Sequence, residues 1–382
     1  MLKRFALRNY KNFADDIEIR FDGIAGYKFN DNCIDNGLIS KMLIYGRNAT
    51  GKTNLGMAIM NIYDMIFNNM RYVTPISNAD HINEEVCFSY VFLIDNKEIV
   101  YEYTKDSENT LIKERMSVDN SVSFYCEYQT KAIAIHNLTV LGLDNVVTDN
   151  FEEMIKEYPI DDENLSRKCF LKWLFSNTAY SNESLLAKLT SFISRMRFAA
   201  VSSMLPLKPI AMQSGFFDYL EDKSNLDHFE AFLNEMGVSC RLVLKILPDG
   251  NKELYFDYGT LIPFFMNASS GTRALVDLYR MLIFNGTRKA SFFYLDEFDA
   301  FYHYEMSETV LNYLKKVFPD TQIVITTHNT NLMSNRLMRP DCLFILSRTG
   351  SLTALCNATM RELREGHNLE KMYISGEFEV YE

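Results

Sequence analysis

At 382 residues, 47% of them hydrophobic and 23% charged, the chain can bury one large core or two modest ones, which excludes a disordered or collagen-like protein. Its 50 acidic and 39 basic residues leave a net charge of -11, which argues against a general coat for nucleic acid or an anionic membrane and leaves room only for a local basic face. Seven cysteines scattered singly without a CxxC pair exclude a disulfide framework or zinc ribbon, and no apolar run approaches the roughly 18 residues of a membrane span, so a cytoplasmic protein is expected.

Phe5 and Leu7, then Ile17, Ile19 and Phe21, alternate with polar residues on either side of a turn, so the chain is expected to open with a hairpin. Residues 42–45 read as a third strand running into a glycine loop. Beyond the loop, Leu55, Ala58, Ile59, Ile62, Ile66 and Phe67 recur at helical spacing. Stretches 86–94, 98–103, 110–116 and 122–128, broken by turn signals at 95–96 and 106–109, predict a β meander. From about 151 to 236 the pattern turns helical. There Leu185, Leu186, Leu189, Phe192, Ile193 and Met196 form an apolar stripe, and the cluster around Trp173 reads as the core of a helical subdomain. Strands at 242–246 and 254–258, a helix at about 271–284, a strand at 292–295, a helix at 303–317, a strand at 322–326 and a strand pair near 343–355 before a polar helix complete a mixed α/β pattern. The expected division is 1–150, a helical insertion at 151–236, and 237–382, the outer two being halves of one domain.

Gly46, Arg47, Asn48, Ala49, Thr50, Gly51, Lys52 and Thr53 match G-x-x-x-x-G-K-[ST], a loop whose backbone N–H groups curl around phosphate oxygens. In this pattern Lys52 reaches the β- and γ-phosphates of ATP and Thr53 ligates Mg²⁺. The plain alternative, a glycine turn without a ligand, is disfavoured by the strand before the loop and the helix after it. An apolar strand at 291–295 ends in Asp296 and Glu297, the first placed to steady Mg²⁺ and the second to polarise an attacking water. Another at 322–327 ends in His328, a candidate γ-phosphate sensor on the same sheet edge. Each alone is compatible with an ordinary surface strand end; three together point to phosphate chemistry. Ser269, Ser270, Gly271 and Thr272 open an amphipathic helix, where hydroxyls and free N–H groups at a positive helix end make an anion site, although a simple serine cap uses the same physics.

These four motifs, in this order, resemble the ABC-type ATPases of the OLD (overcoming lysogenization defect) group, relatives of the SMC and RecF proteins found in bacterial antiphage systems. Residues 9–13 (Asn-Tyr-Lys-Asn-Phe) and 368–378 also look like that group, so the similarity covers nearly the whole chain, the helical insertion least. The resemblance implies an α/β fold, an ABC-type P-loop ATPase head of mixed sheet and N-terminal antiparallel meander. It implies a homodimer or higher even oligomer that sandwiches ATP between residues 46–53 of one chain and 269–272 of the other, with Glu297 and His328 catalytic and Thr53 and Asp296 on the metal. Three departures bear on turnover speed: Arg47 stands where a proline is common, Gln129 or Glu114 is the nearest stand-in for a Q-loop glutamine, and Asp299-Ala300 stands where a longer D-loop is usual. OLD proteins continue into a TOPRIM nuclease that needs an Asp-x-Asp; none occurs in this sequence, so that effector is expected to lie outside these residues. Asp161-Asp162-Glu163 reads as a solvated loop. The expected role is an ATP-driven sensor subunit that controls a separate effector such as a nuclease. A RecF/SMC-like DNA-repair ATPase is the alternative, for which Lys188, Arg195, Arg197 and Lys208 offer a sparse basic face, and a non-enzymatic scaffold is a third reading. No membrane partner is expected.

Overall fold

The computed structural model describes residues 1–67, 75–144, 146–157, 169–200, 214–284 and 290–382. Strands β1 (Leu2–Arg8) and β2 (Ile17–Arg20) precede a short pair, β3 (Ile34–Asp35) and β4 (Leu38–Ile39), and then β5 (Lys41–Tyr45), which feeds α1 (Lys52–Phe67). The meander comes next as β6 (Val86–Ile94), β7 (Lys97–Lys105), β8 (Leu111–Val118), β9 (Ser121–Glu127) and β10 (Ala132–Ile135). Helices α2 (Asp149–Glu157), α3 (Phe170–Asn177) and α4 (Leu185–Ser194) lead to β11 (Met196–Ala200), and α5 (Ser214–Leu220) and α6 (Lys223–Glu235) lead to β12 (Leu242–Ile246), β13 (Lys252–Asp257) and β14 (Leu261–Pro263). After α7 (Phe264–Asn267) and α8 (Ser270–Tyr279) come β15 (Phe292–Asp296), α9 (Tyr304–Val317), β16 (Gln322–Thr327), β17 (Leu343–Leu346), β18 (Leu352–Ala354) and α10 (Leu369–Ile374).

Two large sheets result. Five meander strands join the opening hairpin in a seven-stranded antiparallel sheet of order β10-β9-β8-β7-β6-β1-β2, in which Phe5 faces Ile19 as the hairpin pattern requires. Alternation in β2, buried then exposed, reflects a sheet with one packed and one wet face. The second sheet, β11-β15-β16-β5-β17-β18, is parallel except for its last strand, and β5, β15 and β16 are buried at every position, as parallel strands covered on both faces must be. Helix α1 lies between the sheets. Its Ala58 carbonyl accepts from the Tyr90 hydroxyl (2.9 Å) and its Asn61 side chain from Lys105 and Tyr103 (2.8 and 3.0 Å), while its opposite flank packs on β11 and β15. The buried Gln322 carboxamide joins the sheets by exchanging hydrogen bonds with the backbone of Leu2 (3.0 and 2.8 Å).

The helical reading of 151–236 needs one correction. Helix α4 ends at Ser194, and Met196, counted in its stripe, starts β11, which pairs in parallel with β15 from Met196 opposite Phe292 to Ala200 opposite Asp296. A five-residue stretch offered a free sheet edge gains a ladder of hydrogen bonds, and that tertiary gain outweighs local periodicity. The helix expected at 271–284 is α8 followed by a π turn, Arg280–Phe284. Trp173 stacks on Phe170 (centroids 5.7 Å) and meets Phe151 (5.5 Å), as a packing role demands. Glu114 is no Q-loop stand-in: it is buried and accepts from the Tyr101 and Tyr128 hydroxyls and the N–H groups of Phe170 and Leu171 at the start of α3. Gln129 is exposed in the turn between β9 and β10. Residues 161–163 and Lys208 lie outside the described residues. Among those described, no helix is long and apolar enough to cross a membrane.

Candidate functional site

Because β15, β16 and β5 are parallel neighbours, their C-terminal ends open on one sheet edge. The glycine loop leaves β5 there, and the Gly46 N–H bonds the Thr327 carbonyl (3.2 Å). Two of the three Lys52 ammonium donors are spent on the Gly46 and Arg47 carbonyls (2.7 and 3.1 Å), which fixes the side chain inside the loop and leaves one donor for a phosphate oxygen. Burial lowers the Lys52 pKa, opposed by the charges of Glu297, Asp296 and Asp299. Gly51 has φ +99°, and a Cβ there would overlap the Asn12 amide, so glycine is required twice over. Asn12 itself, from the turn after β1, donates to the Thr50 carbonyl (3.2 Å) and accepts from Asn54 (2.7 Å). On the other flank Arg47 pairs with Glu382 and hydrogen-bonds Tyr373, whose hydroxyl and ring meet Tyr45 at the end of β5 (3.1 Å between oxygens, 4.8 Å between rings).

Opposite the loop, the Thr53 hydroxyl donates to Asp296 Oδ2 (2.5 Å) and the Thr326 hydroxyl to Oδ1 (2.7 Å). Burial raises the Asp296 pKa; the hydroxyls of Thr53 and Thr326 oppose the shift and the charge of Glu297 adds to it. A hydroxyl and a buried carboxylate in contact are the hard oxygen donors that Mg²⁺ takes, so this pair fits the metal that the loop motif implies. The next residue, Glu297, has φ 47°, a strained left-handed conformation for a side chain of this size, and its N–H bonds Thr326 Oγ1 (2.8 Å). Behind the pair, the buried Tyr294 hydroxyl bonds the Lys52 carbonyl (2.6 Å) and ties β15 to the first turn of α1. Asp299 accepts from the Thr327 hydroxyl (2.7 Å), and burial raises its pKa, opposed by that hydrogen bond and by His328. His328 stands exposed one residue beyond β16.

Residues 46–53, Asp296, Glu297 and His328 thus share one edge, whereas the Ser269–Thr272 stretch does not join them. Ser269 caps α8 by accepting from the Thr272 N–H (3.1 Å) and shares a hydrogen bond with the Thr272 hydroxyl (2.9 Å). Ser269 and Ser270 are exposed, and among the described residues no hydrogen bond or ion pair links 269–272 to 46–53 of the same chain. Sequence reasoning passed over Asn12, Tyr294, Thr326 and Thr327. Asn12 lies in the Asn-Tyr-Lys-Asn-Phe stretch and carried a signal; the others look like ordinary strand residues.

Residues 1–344 match the family model described as the RecF/RecN/SMC N terminal domain. No curated protein matches the chain. Among solved structures, a SmcHead bound to the C-winged helix domain of ScpA is 14% identical over 93% of this chain and 97% of that chain, with a TM-score of 0.50. The SMC head domain from Thermotoga maritima is 13% identical over 92% and 98%, with a TM-score of 0.47. An Smc head domain with an extended coiled coil, bound to the C-terminal domain of ScpA from Pyrococcus furiosus, is 12% identical over 99% of each chain, with a TM-score of 0.44.

Proposed function

We propose that this chain, which belongs to the RecF/RecN/SMC N-terminal domain family and has the fold of an ABC-type ATPase head, binds ATP on residues 46–53 and hydrolyses it between two copies of itself. The observation that carries this reading is the contact of Thr53 with Asp296 beside the one free Lys52 donor, at an edge to which Glu297 and His328 are also delivered. Lys52 and the loop N–H groups hold the β- and γ-phosphates, and Thr53 and Asp296 hold Mg²⁺, which when bound neutralises charge on the transferring phosphoryl group. Glu297 polarises the water and His328 senses the γ-phosphate. The serines at the start of α8 are exposed and, among the described residues, make no hydrogen bond to the phosphate loop of their own chain, which favours their use by a second chain. Nucleotide titration and phosphate release test this: Lys52→Ala should lose binding, and Glu297→Gln should keep binding and lose turnover. Equal loss of binding in both would overturn the assignment.

Within that reading the chain is the cytoplasmic sensor or regulatory subunit of an antiphage system and controls a separate effector protein, a reading supported by the motif quartet it has in common with the OLD group. Membership in the RecF/RecN/SMC family supports a second reading, a DNA-binding repair ATPase. One feature weighs against tight DNA binding on the antiparallel sheet: its cations Arg4, Arg8, Lys113 and Arg115 face Glu18, Glu84, Glu85 and Glu102 at 3.5, 3.7, 2.8 and 3.7 Å, which neutralises the field a polyanion would track. ATPase rates with and without DNA, beside co-purification of a neighbouring gene product, separate the two.

A further inference from the structure

Lys41 opens β5, Lys315 stands in the last turn of α9, and both are buried. The Lys41 ammonium donates to the carbonyls of Thr321 and Pro319 (2.9 and 3.1 Å) and to the Ser40 hydroxyl (3.3 Å), and the Lys315 ammonium donates to the Leu337 carbonyl. Among the described residues neither forms an ion pair with a carboxylate, and a buried cation without a counter-ion is costly. The group beside them is a thiol. Cys33, fully buried in the turn before β3, hydrogen-bonds Lys315 and the thiol of Cys342, the equally buried residue before β17. Backbone bonds fix both cysteines against the start of β5: the Cys33 carbonyl accepts from the Ser40 N–H (2.8 Å) and the Cys342 carbonyl from the Leu43 N–H (2.9 Å). The hydrogen bond from Cys342 and the charges of Lys315 and Lys41 draw the Cys33 thiol below its ordinary value, against the effect of burial, while burial raises Cys342. Burial pulls Lys41 down to about 8, and the charge on Cys33 is the largest influence opposing that fall. A thiolate at Cys33 is the anion that the two buried cations otherwise lack.

A thiolate in contact with a second thiol is the pair that a hydroperoxide converts to a disulfide. We propose that Cys33 and Cys342 form a reversible redox site, oxidised by a hydroperoxide to a bond between the two sulfurs. The Cys33 sulfur attacks one peroxide oxygen, the O–O bond breaks, and hydroxide leaves and takes a proton, which gives a sulfenic acid and water. The Cys342 sulfur then attacks the Cys33 sulfur; the S–S bond forms as the S–O bond breaks, and the hydroxyl leaves with the Cys342 proton as a second water. The sulfur pair loses two electrons and the peroxide gains them. This site is independent of the ATPase reading. Asp31 and Asn32, the other two residues of the turn that ends at Cys33, are exposed, so a molecule scarcely larger than water has one turn to displace. Cys87 and Cys356 are only half-buried, yet burial raises both thiols, Cys356 to about 11. Exposure and nucleophilicity thus point to different cysteines.

The test treats the full chain with hydrogen peroxide near stoichiometry, blocks the remaining thiols by alkylation and maps the peptides by mass spectrometry. The first product should be a linked pair of peptides holding Cys33 and Cys342, lighter by two hydrogens and returned to two thiols by dithiothreitol, while Cys87 and Cys356 stay reduced. Cys342→Ser should stop at the sulfenic acid of Cys33, captured by dimedone. Lys315→Gln keeps a donor for the Leu337 carbonyl and removes the charge, so oxidation of Cys33 should slow about 3- to 10-fold as the thiolate fraction falls. The wild-type map decides the matter even where a variant fails to fold. Oxidation that reaches Cys87 or Cys356 first, or that links Cys33 to any other cysteine, overturns the proposal, and a Lys315→Gln rate equal to wild type overturns the part given to the cations.

Discussion

Gly56 sits in the second turn of α1, against the strand that carries Asp296. A Cβ at this position would lie 2.5 Å from both Cδ1 and Cε1 of Tyr294 and 2.7 Å from Cε2 of Phe198. Those two rings stack on each other, with centroids 5.7 Å apart and planes 15° apart. Tyr294 is fully buried on an inner strand with its hydroxyl bonded to Lys52, so relief must come from Phe198 on the edge strand β11 or from a lift of α1. For Gly56→Ala, helix propensity alone gives a gain of about 1 kcal/mol. Overpacking costs about 1–3 kcal/mol, and disturbing the Tyr294–Lys52 hydrogen bond costs about 1 kcal/mol more. The expected result is a net loss of about 1–3 kcal/mol, read as a lower urea midpoint at unchanged slope. ATP affinity should fall with it, because lifting α1 draws Thr53 away from Asp296. Adding Phe198→Ala should recover part of the Gly56→Ala loss, since contacting residues are not additive. A higher urea midpoint for Gly56→Ala would mean that propensity wins and that α1 does not press on β15, which refutes the reasoning.

Ser270→Arg should leave each chain able to bind ATP and remove hydrolysis, and mixing it with Lys52→Ala should restore turnover; no recovery would favour a one-chain site. Asn12→Ala removes one clamp on the phosphate loop worth about 0.5–1.4 kcal/mol, so its ATP dissociation constant should rise about 2- to 10-fold by titration calorimetry. Burial raises the Asp296 pKa. Between the ordinary aspartate value and that raised value the folded state holds more protons than the unfolded one, so this group's contribution to stability falls as pH rises across the window. Mg²⁺ needs the ionised form, so Mg²⁺-ATP binding should weaken in the opposite direction, as pH falls through the same window. Asp296→Asn should remove this group's part of the stability slope and the metal-dependent part of binding, checked by urea unfolding and calorimetry across mildly acidic pH.

Much of this site was legible because its chemistry is carried by short contiguous motifs. The run from β5 through residues 46–53 into α1 is marked by its glycines and its flanking elements, and the strands leading to Asp296 and His328 are marked by their unbroken apolar composition. What escaped the sequence is carried by single residues whose partners are far away. Asn12 meets Thr50 across 38 positions and Arg47 meets a carboxylate at the other end of the chain, neither of which any local pattern encodes. β11 was lost for a related reason: Met196 continues the spacing of α4, and only the vacant edge of β15 decides that the chain there extends. Glu114 shows the converse error, since a carboxylate near the expected position of a motif serves instead to tie α3 to the meander.

The order of the parallel sheet has a consequence for how the protein is made. Strand β5 is buried along its whole length, yet both of its neighbours, β16 and β17, are encoded almost 300 residues later. At about 5–20 residues per second, a ribosome needs roughly 15–60 s to supply them. For that interval an apolar strand and the loop behind it have no sheet to join, so the nascent chain presents a site for chaperones before it presents one for nucleotide. Stalled chains ending before residue 322 should be retained by a holdase and ignored by immobilised ATP, and the preference should invert once β17 has emerged.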